Sequence, residues 1–329
     1  MSQPAHPGRP RSRVARRGTR PGDRELDDCR LPGAGQERLV GERSWSLAEN
    51  NDVIRGFNVS VPNVARIYDY LLGGKDNFAA DRQAAKELLK AVPDAAIAAR
   101  QNREFLRRAV RFLAEDSGIR QFIDIGTGLP TQGNVHEIAQ HFMLDARVLY
   151  VDNDPVVVTH AQALLANNAA TVAISGDIRD PGQVLGHPAL QALIDLEKPV
   201  AMLLVAILHF VKDTEDPYAI VERLKESMAQ DSYLVISHVT GDDIPAESAE
   251  RARELYEQST APGVVRTRAE VTRFFDGLEL IPPGVVNVSA WRPSLPPRKS
   301  ARTIFYAGVG RKLPGGNRYA NEHQEGGLA

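Results

Sequence analysis

Residues Phe122 to Gly133 read FIDIGTGLPTQG, and NVHEIAQHF follows at Asn134 to Phe142. Phe122, Ile123 and Ile125 form the apolar half of a buried strand, and Asp124, Gly126 and Gly128 stand where that strand gives out. A side chain at either glycine would obstruct close approach of a ligand to the backbone. In the segment behind them Val135, Ile138, Ala139 and Phe142 fall on one helical face, and Asn134 with Glu137 makes an N-x-x-E pair close to a capping box. A strand, a glycine turn and a helix in that order frame a nucleotide-type ligand site.

The same rhythm continues outward. Short β-rich runs occur at RQFIDIG, ARVLYVDND, ATVAISGD, KPVAMLLVAIL and DSYLVISHVT, with helical stretches between them; DPYAIVERLKESMAQ carries Val221, Leu224 and Met228 as a stripe. Strands alternating with helices of this length predict βαβ units and a parallel twisted sheet with right-handed crossovers. After the fifth strand come the helices PAESAERARELYEQ and TRAEVTRFFDG, and then LELIPPGVVNVSAW and RTIFYAGVGRK without a helix between them. That last pair predicts an antiparallel arrangement at the carboxyl end. Two or three helices, in VARIYDYLLGGKDNFAADRQAAKELLKAV and AIAARQNREFLRRAVRFLAED, precede the first strand and predict a cap beside the sheet.

The 329 residues suffice for one large α/β domain or two small ones. A net charge of -2 gives no reason to expect nucleic acid or membrane as an obligatory partner. Pro199 to Val211, PVAMLLVAILHFV, is too short for a bilayer-spanning helix and reads as a strand buried on both faces. Cys29 is the sole cysteine, so no intrachain disulfide forms, and the Arg-rich amino terminus lacks the apolar stretch of a signal peptide; the cytoplasm is the expected compartment. Residues 1–55, rich in Arg, Pro and Gly, and residues 313–329 read as flexible tails.

Three successive strands finish on acids: Asp124, Asp152 and Asp177. A nicotinamide fingerprint would want a glycine at Thr131, and Asp124 sits badly beside a pyrophosphate because like charges would be brought together. The acid suits a ligand carrying an ammonium and a sulfonium, as S-adenosylmethionine does. On this reading Asp124 faces the amino group of the methionine part, Gly126 and Gly128 admit that part, Asp152 accepts from the ribose hydroxyls and Asp177 contacts the adenine amine. Asn153 and Ile178, beside the second and third acids, complete the cofactor set. An Asp at a strand end is also a common cap or turn former, so the order of the three carries more weight than each alone.

These residues resemble class I S-adenosylmethionine-dependent methyltransferases, and more narrowly an actinobacterial S-adenosyl methyltransferase family formerly described as a domain of unknown function. The resembling segments are PNVARIYDYLLGGKDNFAADR, QNREFLRRAVR, FIDIGTGLPTQGNVHEIAQ, VLYVDNDPVV, GDIRDP and LLVAILHFV, spread from Pro62 to about Gly310. The resemblance implies a Rossmann-like, seven-stranded, mostly parallel sheet with an antiparallel last strand, behind a helical cap over 56–118, with the cofactor core at 119–312. Many members carry a third glycine where this chain has Pro130.

On the acceptor side, AILHF places His209 at the crevice, where it is a candidate general base. Packing against adenine and satisfying a loop carbonyl are competing roles for it. The Asn/Asp-Pro-Pro-aromatic tetrapeptide of base methylases is absent, which favours a small-molecule acceptor. His136 and His141 lie five apart and do not share a helical face, so no zinc site is expected. In RIYDYLLGGKDNFAADR, Tyr68 and Tyr70 precede a Gly-Gly break and Lys75, Asp76, Asn77 and Arg82 follow it. The break is either a lid over cofactor and acceptor, with Tyr70 a second catalytic candidate and Tyr68, Lys75, Asn77 and Arg82 contacting the acceptor, or a plain helix end with solvated charges. Arg100, Asn102 and Arg103 support the lid or form an exposed helix face. His238, Asp242 and Asp243 border the acceptor or make a turn; Arg266 and Arg268 pair with an acidic acceptor or lie on the surface; Phe274 and Phe275 are core. The competing function is an S-adenosylmethionine-binding sensor without methyl transfer.

Overall fold

A computed structural model describes residues 59–130, 133–165, 167–293 and 304–314. Both expected tails, apart from residues 313 and 314, lie outside the described residues, as do Cys29 and Thr131.

Three helices come first: α1 (Val64–Leu72), α2 (Ala79–Ala91) and α3 (Ala95–Arg111). Asn63 starts α1 by accepting on its side-chain oxygen from the amides of Ala65 and Arg66, at 2.8 and 3.2 Å. Gly73, at φ +84°, ends it in the left-handed conformation glycine adopts most cheaply. Along α3 the buried positions Ala95, Ala98, Ala99, Asn102, Phe105, Leu106, Ala109 and Val110 recur at three- and four-residue steps, the stripe of a helix laid on a core.

The sheet follows as β1 (Gln121–Ile125), β2 (Arg147–Asp152), β3 (Thr171–Ser175), β4 (Ala201–Val205) and β5 (Tyr233–Val239), all parallel. Between them run α4 (Val135–Phe142), α5 (Pro155–Leu165), α6 (Pro181–Leu185), α7 (Pro188–Leu193) and α8 (Pro217–Ser227); α9 (Ala246–Glu257) and α10 (Arg268–Arg273) follow β5. At the head of α4 the Glu137 carboxylate accepts from the amides of Gly133 and Asn134, as the N-x-x-E spacing predicts. The chain ends with β6 (Glu279–Leu280), β7 (Val286–Asn287) and β8 (Phe305–Arg311). The order is β3-β2-β1-β4-β5-β8-β6, with β7 also on β8 and every pairing of β8 antiparallel. The expected sixth strand, in LELIPPGVVNVSAW, is in fact two two-residue pieces, giving eight strands among the described residues, and the expected last strand is β8. Pro282 and Pro283 lack the N–H a ladder needs, and the chain turns there through Gly284 at φ +83°.

Alternate residues of each strand feed two cores. Phe122, Val148, Tyr150, Leu203 and Val235 join the first three helices, α4 and α5 on one face. Ile123, Ile125, Leu149, Val151, Met202, Leu204 and Ile236 join residues of α6, α7, α8 and α10 on the other. Phe274 and Phe275 belong to the second core, as expected. Strand order runs outward in opposite directions from β1, so the switch point of the sheet lies between β1 and β4, where an open α/β sheet presents its crevice.

Candidate active site

At that switch point a cavity of about 890 Å³ opens between the strand ends, the first helices and α9. Its strand-side wall contains Asp124, Gly126, Gly128, Asp152, Asn153, Asp177 and Ile178, so every residue assigned to the cofactor from sequence lines the same hollow. Asp152 ends β2 and turns its carboxylate across the glycine turn: one oxygen accepts from the Gly128 amide, the other from the Asp154 amide, both at 2.9 Å. Asn153 donates to Asp177 at 3.1 Å, and the Arg179 guanidinium and amide donate to the same carboxylate. The chain is therefore drawn into a continuous polar rim from the first strand to the third.

The two glycines serve different ends. Gly126 has φ +76°, and a methyl there would meet Ile207 Cγ1 at 2.5 Å, so its bare backbone makes room for the loop after β4. Gly128 has φ +67° and nothing within 4 Å of where a side chain would stand. The open approach expected of both glycines is present at Gly128 alone.

Burial raises the pKa of Asp124 to about 7, moderated by the Arg103 guanidinium and reinforced by Asp152. Burial likewise raises Asp152 to about 6, against the amide bonds that favour its ionised form. Asp177, although desolvated, is held below the ordinary carboxylate range by Arg179 and Asn153. A wall with two buried carboxylates short of positive charge suits a cationic ligand. Beside it Arg103 lines the same hollow, and its buried Nη2 has no hydrogen-bond partner. Sequence reasoning left Arg103 as a supporting residue; its neighbour Asn102, on the buried stripe of α3, was the signal that this helix turns polar groups inward.

The loop after β4 closes the other side. The apolar run Pro199 to Val211 is strand only over Ala201–Val205; it leaves the sheet at Ala206, whose φ of +58° is uncommon for a residue with a side chain. Ser237 accepts from the Ala206 amide and donates to Asn102, which donates to the Tyr68 hydroxyl, which donates to the Ala99 carbonyl. That chain ties α1 and α3 to the loop, and Tyr68 and His209 both line the cavity. His209 is 6% exposed and its Nδ1 has no partner. Burial, with His238 and Arg266 beyond it, holds its pKa well below the ordinary histidine range, so the ring is neutral.

Arg266 was expected to meet an acidic acceptor or solvent. It is 3% exposed and donates instead to the carbonyls of Leu208 and Val211, to His238 Nε2 and to Asp213. It thus pins the His209 loop from behind. His238 is buried and donates from Nδ1 to the Val239 carbonyl, whereas Asp242 is exposed and accepts from Tyr306 and from the Arg268 amide; neither lines the cavity.

Around the Gly-Gly break the outcome divides. Tyr70, Lys75, Asn77 and Arg82 are not among the residues lining the cavity. Asp69 explains why: its carboxylate accepts from the Asp76 amide and from Asn77 Nδ2, and a methyl on Gly74 would meet it at 1.9 Å. Arg82 donates to the Asn77 carbonyl and side chain. The loop is wrapped on a buried acid, and its polar residues hold it closed rather than reach the cavity. His136, one of the excluded zinc candidates, is bonded to the Tyr150 hydroxyl at 2.8 Å.

A doubly covered sheet with an antiparallel carboxyl-terminal strand and an acid-lined cavity at its switch point is the arrangement of S-adenosylmethionine-dependent methyltransferases. The chain belongs to the S-adenosyl methyltransferase family, which it matches over residues 51–313. It is similar to a protein of known structure from Thermobifida fusca YX named as a candidate methyltransferase, at 40% identity and a TM-score of 0.75, over 82% of this chain and 100% of that one. It is also similar to a duf574 family protein from Streptomyces avermitilis MA-4680, at 41% identity and a TM-score of 0.74, over 78% of this chain and 100% of that one. No curated protein matches it. Its cofactor is S-adenosylmethionine and its activity methyl transfer, which removes the support for a sensor without chemistry. No described helix is long and apolar enough to cross a membrane.

Proposed function

We propose that the protein methylates a small molecule held between the cap helices and the loop after β4, with S-adenosylmethionine along the strand-end wall. One observation carries this reading: a single cavity of about 890 Å³, near the upper end of ligand clefts, with acids on one wall and mostly apolar side chains on the other. That volume suits two ligands side by side. When bound, the cofactor supplies an electrophilic methyl group on a sulfonium.

The residues then divide the work. Asp124 faces the cofactor's amino group, Arg103 its carboxylate, Asp152 the ribose hydroxyls, and Asp177 with Asn153 and Ile178 the adenine edge. Gly128 leaves the room this needs. Tyr68 and Asn102 act through Ser237 to position the loop bearing His209, and the helices keep water from the reacting atoms, so most of the acceleration is assigned to alignment. His209 is a neutral hydrogen-bonding group toward the acceptor rather than a strong base, since Arg266 and His238 oppose a positive charge on it. A net charge of -2 and the apolar acceptor wall favour a small molecule over nucleic acid.

Calorimetric titration with S-adenosylmethionine tests the assignment. Asp152→Ala is expected to weaken binding by at least about tenfold through the loss of one charge-assisted contact, and Gly128→Val by at least about tenfold by filling the open approach. Unchanged affinity in both variants would remove the cleft as the cofactor site. Incubation with labelled cofactor and an extract of the source organism is expected to yield a methylated small molecule; label appearing only in macromolecules would refute the acceptor class.

A further inference from the structure

The acceptor half of the cavity is built differently from the cofactor half. Four rings line it together: His209, Phe210, Tyr256 and Phe305. The His209 and Phe210 centroids lie 4.2 Å apart, Phe210 and Tyr256 5.8 Å, and His209 and Phe305 6.0 Å, so the rings form one continuous surface from the loop after β4 to α9. Ala99 on α3 and Ala252, one turn before Tyr256 on α9, line the same cavity, and their small side chains leave a slot of space beside the rings. Flat apolar walls with offset faces favour a planar ring system, which gains both buried area and edge-to-face contact.

Charge in this half is already committed. Arg253 on α9 is paired with Glu250 and Glu257 of its own helix, and Arg66 is paired with Asp81 at 2.8 Å and lies 3.8 Å from Asp154. Arg266 stands behind the His209 loop, outside the lining. Arg103 sits by Asp124, on the cofactor wall. An anionic acceptor in the slot would be desolvated without a counter-charge. Glu250 and Arg253 of α9 also line the cavity but are paired with each other, and the uncharged polar groups among the rings are the imidazole of His209 and the Tyr256 hydroxyl, whose pKa burial pushes up to about 12.

We propose that the acceptor is an uncharged, planar aromatic compound, stacked in the slot between Phe210, Tyr256 and Phe305, with its hydroxyl or amino group turned toward His209. This rests on the methyl-transfer reading above and adds to it the chemical class of the substrate.

The test uses the full chain saturated with S-adenosylhomocysteine, so that only the acceptor half is free, and two probes of like shape. 2-Naphthol is neutral; 2-naphthoate carries a charge. Naphthol is expected to bind at least about tenfold more tightly than naphthoate, the least that burying an unpaired carboxylate would cost. Ala252→Phe, which fills the slot from the α9 side, is expected to weaken naphthol by about tenfold or more while S-adenosylhomocysteine affinity changes by less than about twofold. Naphthoate binding as tightly as naphthol, or neither probe binding to a protein that does bind S-adenosylhomocysteine, would overturn the acceptor class and leave the cofactor assignment standing. Failure to bind S-adenosylhomocysteine would overturn both.

Discussion

The two buried acids of the cofactor wall predict how binding depends on pH. In the free protein Asp124 has a pKa of about 7 and Asp152 about 6. A ligand that brings an ammonium and a sulfonium, and hydroxyls that donate to carboxylate, favours the ionised acids. Binding therefore lowers both pKa values and releases protons. A group whose pKa falls on binding makes affinity rise with pH up to its value in the free protein, so the window closes near pH 7. From about pH 6 to about pH 7.5 the ionised fraction of Asp124 rises roughly eightfold and that of Asp152 roughly twofold, so S-adenosylmethionine is expected to bind about fifteenfold more tightly at the upper end. Titration calorimetry in buffers of different ionisation heat reads both the affinity and the protons released. In Asp124→Asn the increase should shrink to about the twofold of Asp152, with weaker binding at the upper pH. The same variant should be more stable than the parent in the absence of ligand above pH 7, because it no longer buries a charge; thermal unfolding measures this. Affinity that is flat with pH, or a slope that survives Asp124→Asn, would refute the reasoning.

Further outcomes follow from the packing. Gly126→Ala should destabilise the unliganded protein more than Gly128→Ala, because only the first drives a methyl into Ile207, while the second should cost cofactor affinity more; thermal melts and titrations of both variants give the comparison. Asp81→Ala breaks a buried pair with Arg66 and removes the acceptor of the Asn63 and Phe78 amides, so a loss of about 3–5 kcal/mol in denaturant unfolding is expected. Asn77→Ala should lower stability by about 1–3 kcal/mol, with S-adenosylmethionine affinity unchanged, since the residue holds the loop on Asp69. Arg266→Ala should lower the rate of methyl transfer with little effect on cofactor binding, because it frees the His209 loop and leaves the Leu208 and Val211 carbonyls without their donor; rate and affinity measured side by side check it.

Much of the frame was legible because it rests on short-range rules. The apolar run at Phe122 to Ile125, the N-x-x-E pair at α4 and the glycine at φ +84° after α1 each have a local cause, and the acids at the strand ends are placed by the sheet itself. Residues that act across long separations were not legible. Ala201 to Val205 and Leu208 to Val211 look alike as apolar sequence, but the positive φ at Ala206 and the arginine 60 residues later divide strand from loop. From its residues the cluster after the Gly-Gly break reads equally as a lid or as a helix end with solvated charges, and only the family resemblance favours the lid. The cluster's true partner, Asp69, stands on the preceding helix seven and eight residues back, but the helix ends at Leu72 between them, so helical periodicity could not be carried across the break. Arg103 carried no mark beyond lying beside Asn102 on the buried stripe.

The central claim is that acidic strand ends and an opposed arginine hold S-adenosylmethionine by its charged groups. A crystal structure of the complex with S-adenosylhomocysteine measures this most directly. The account predicts the ribose hydroxyls within hydrogen-bond distance of Asp152, the amino group on the Asp124 side and the carboxylate on Arg103. A product seated away from Asp152, or with its carboxylate turned from Arg103, would contradict it.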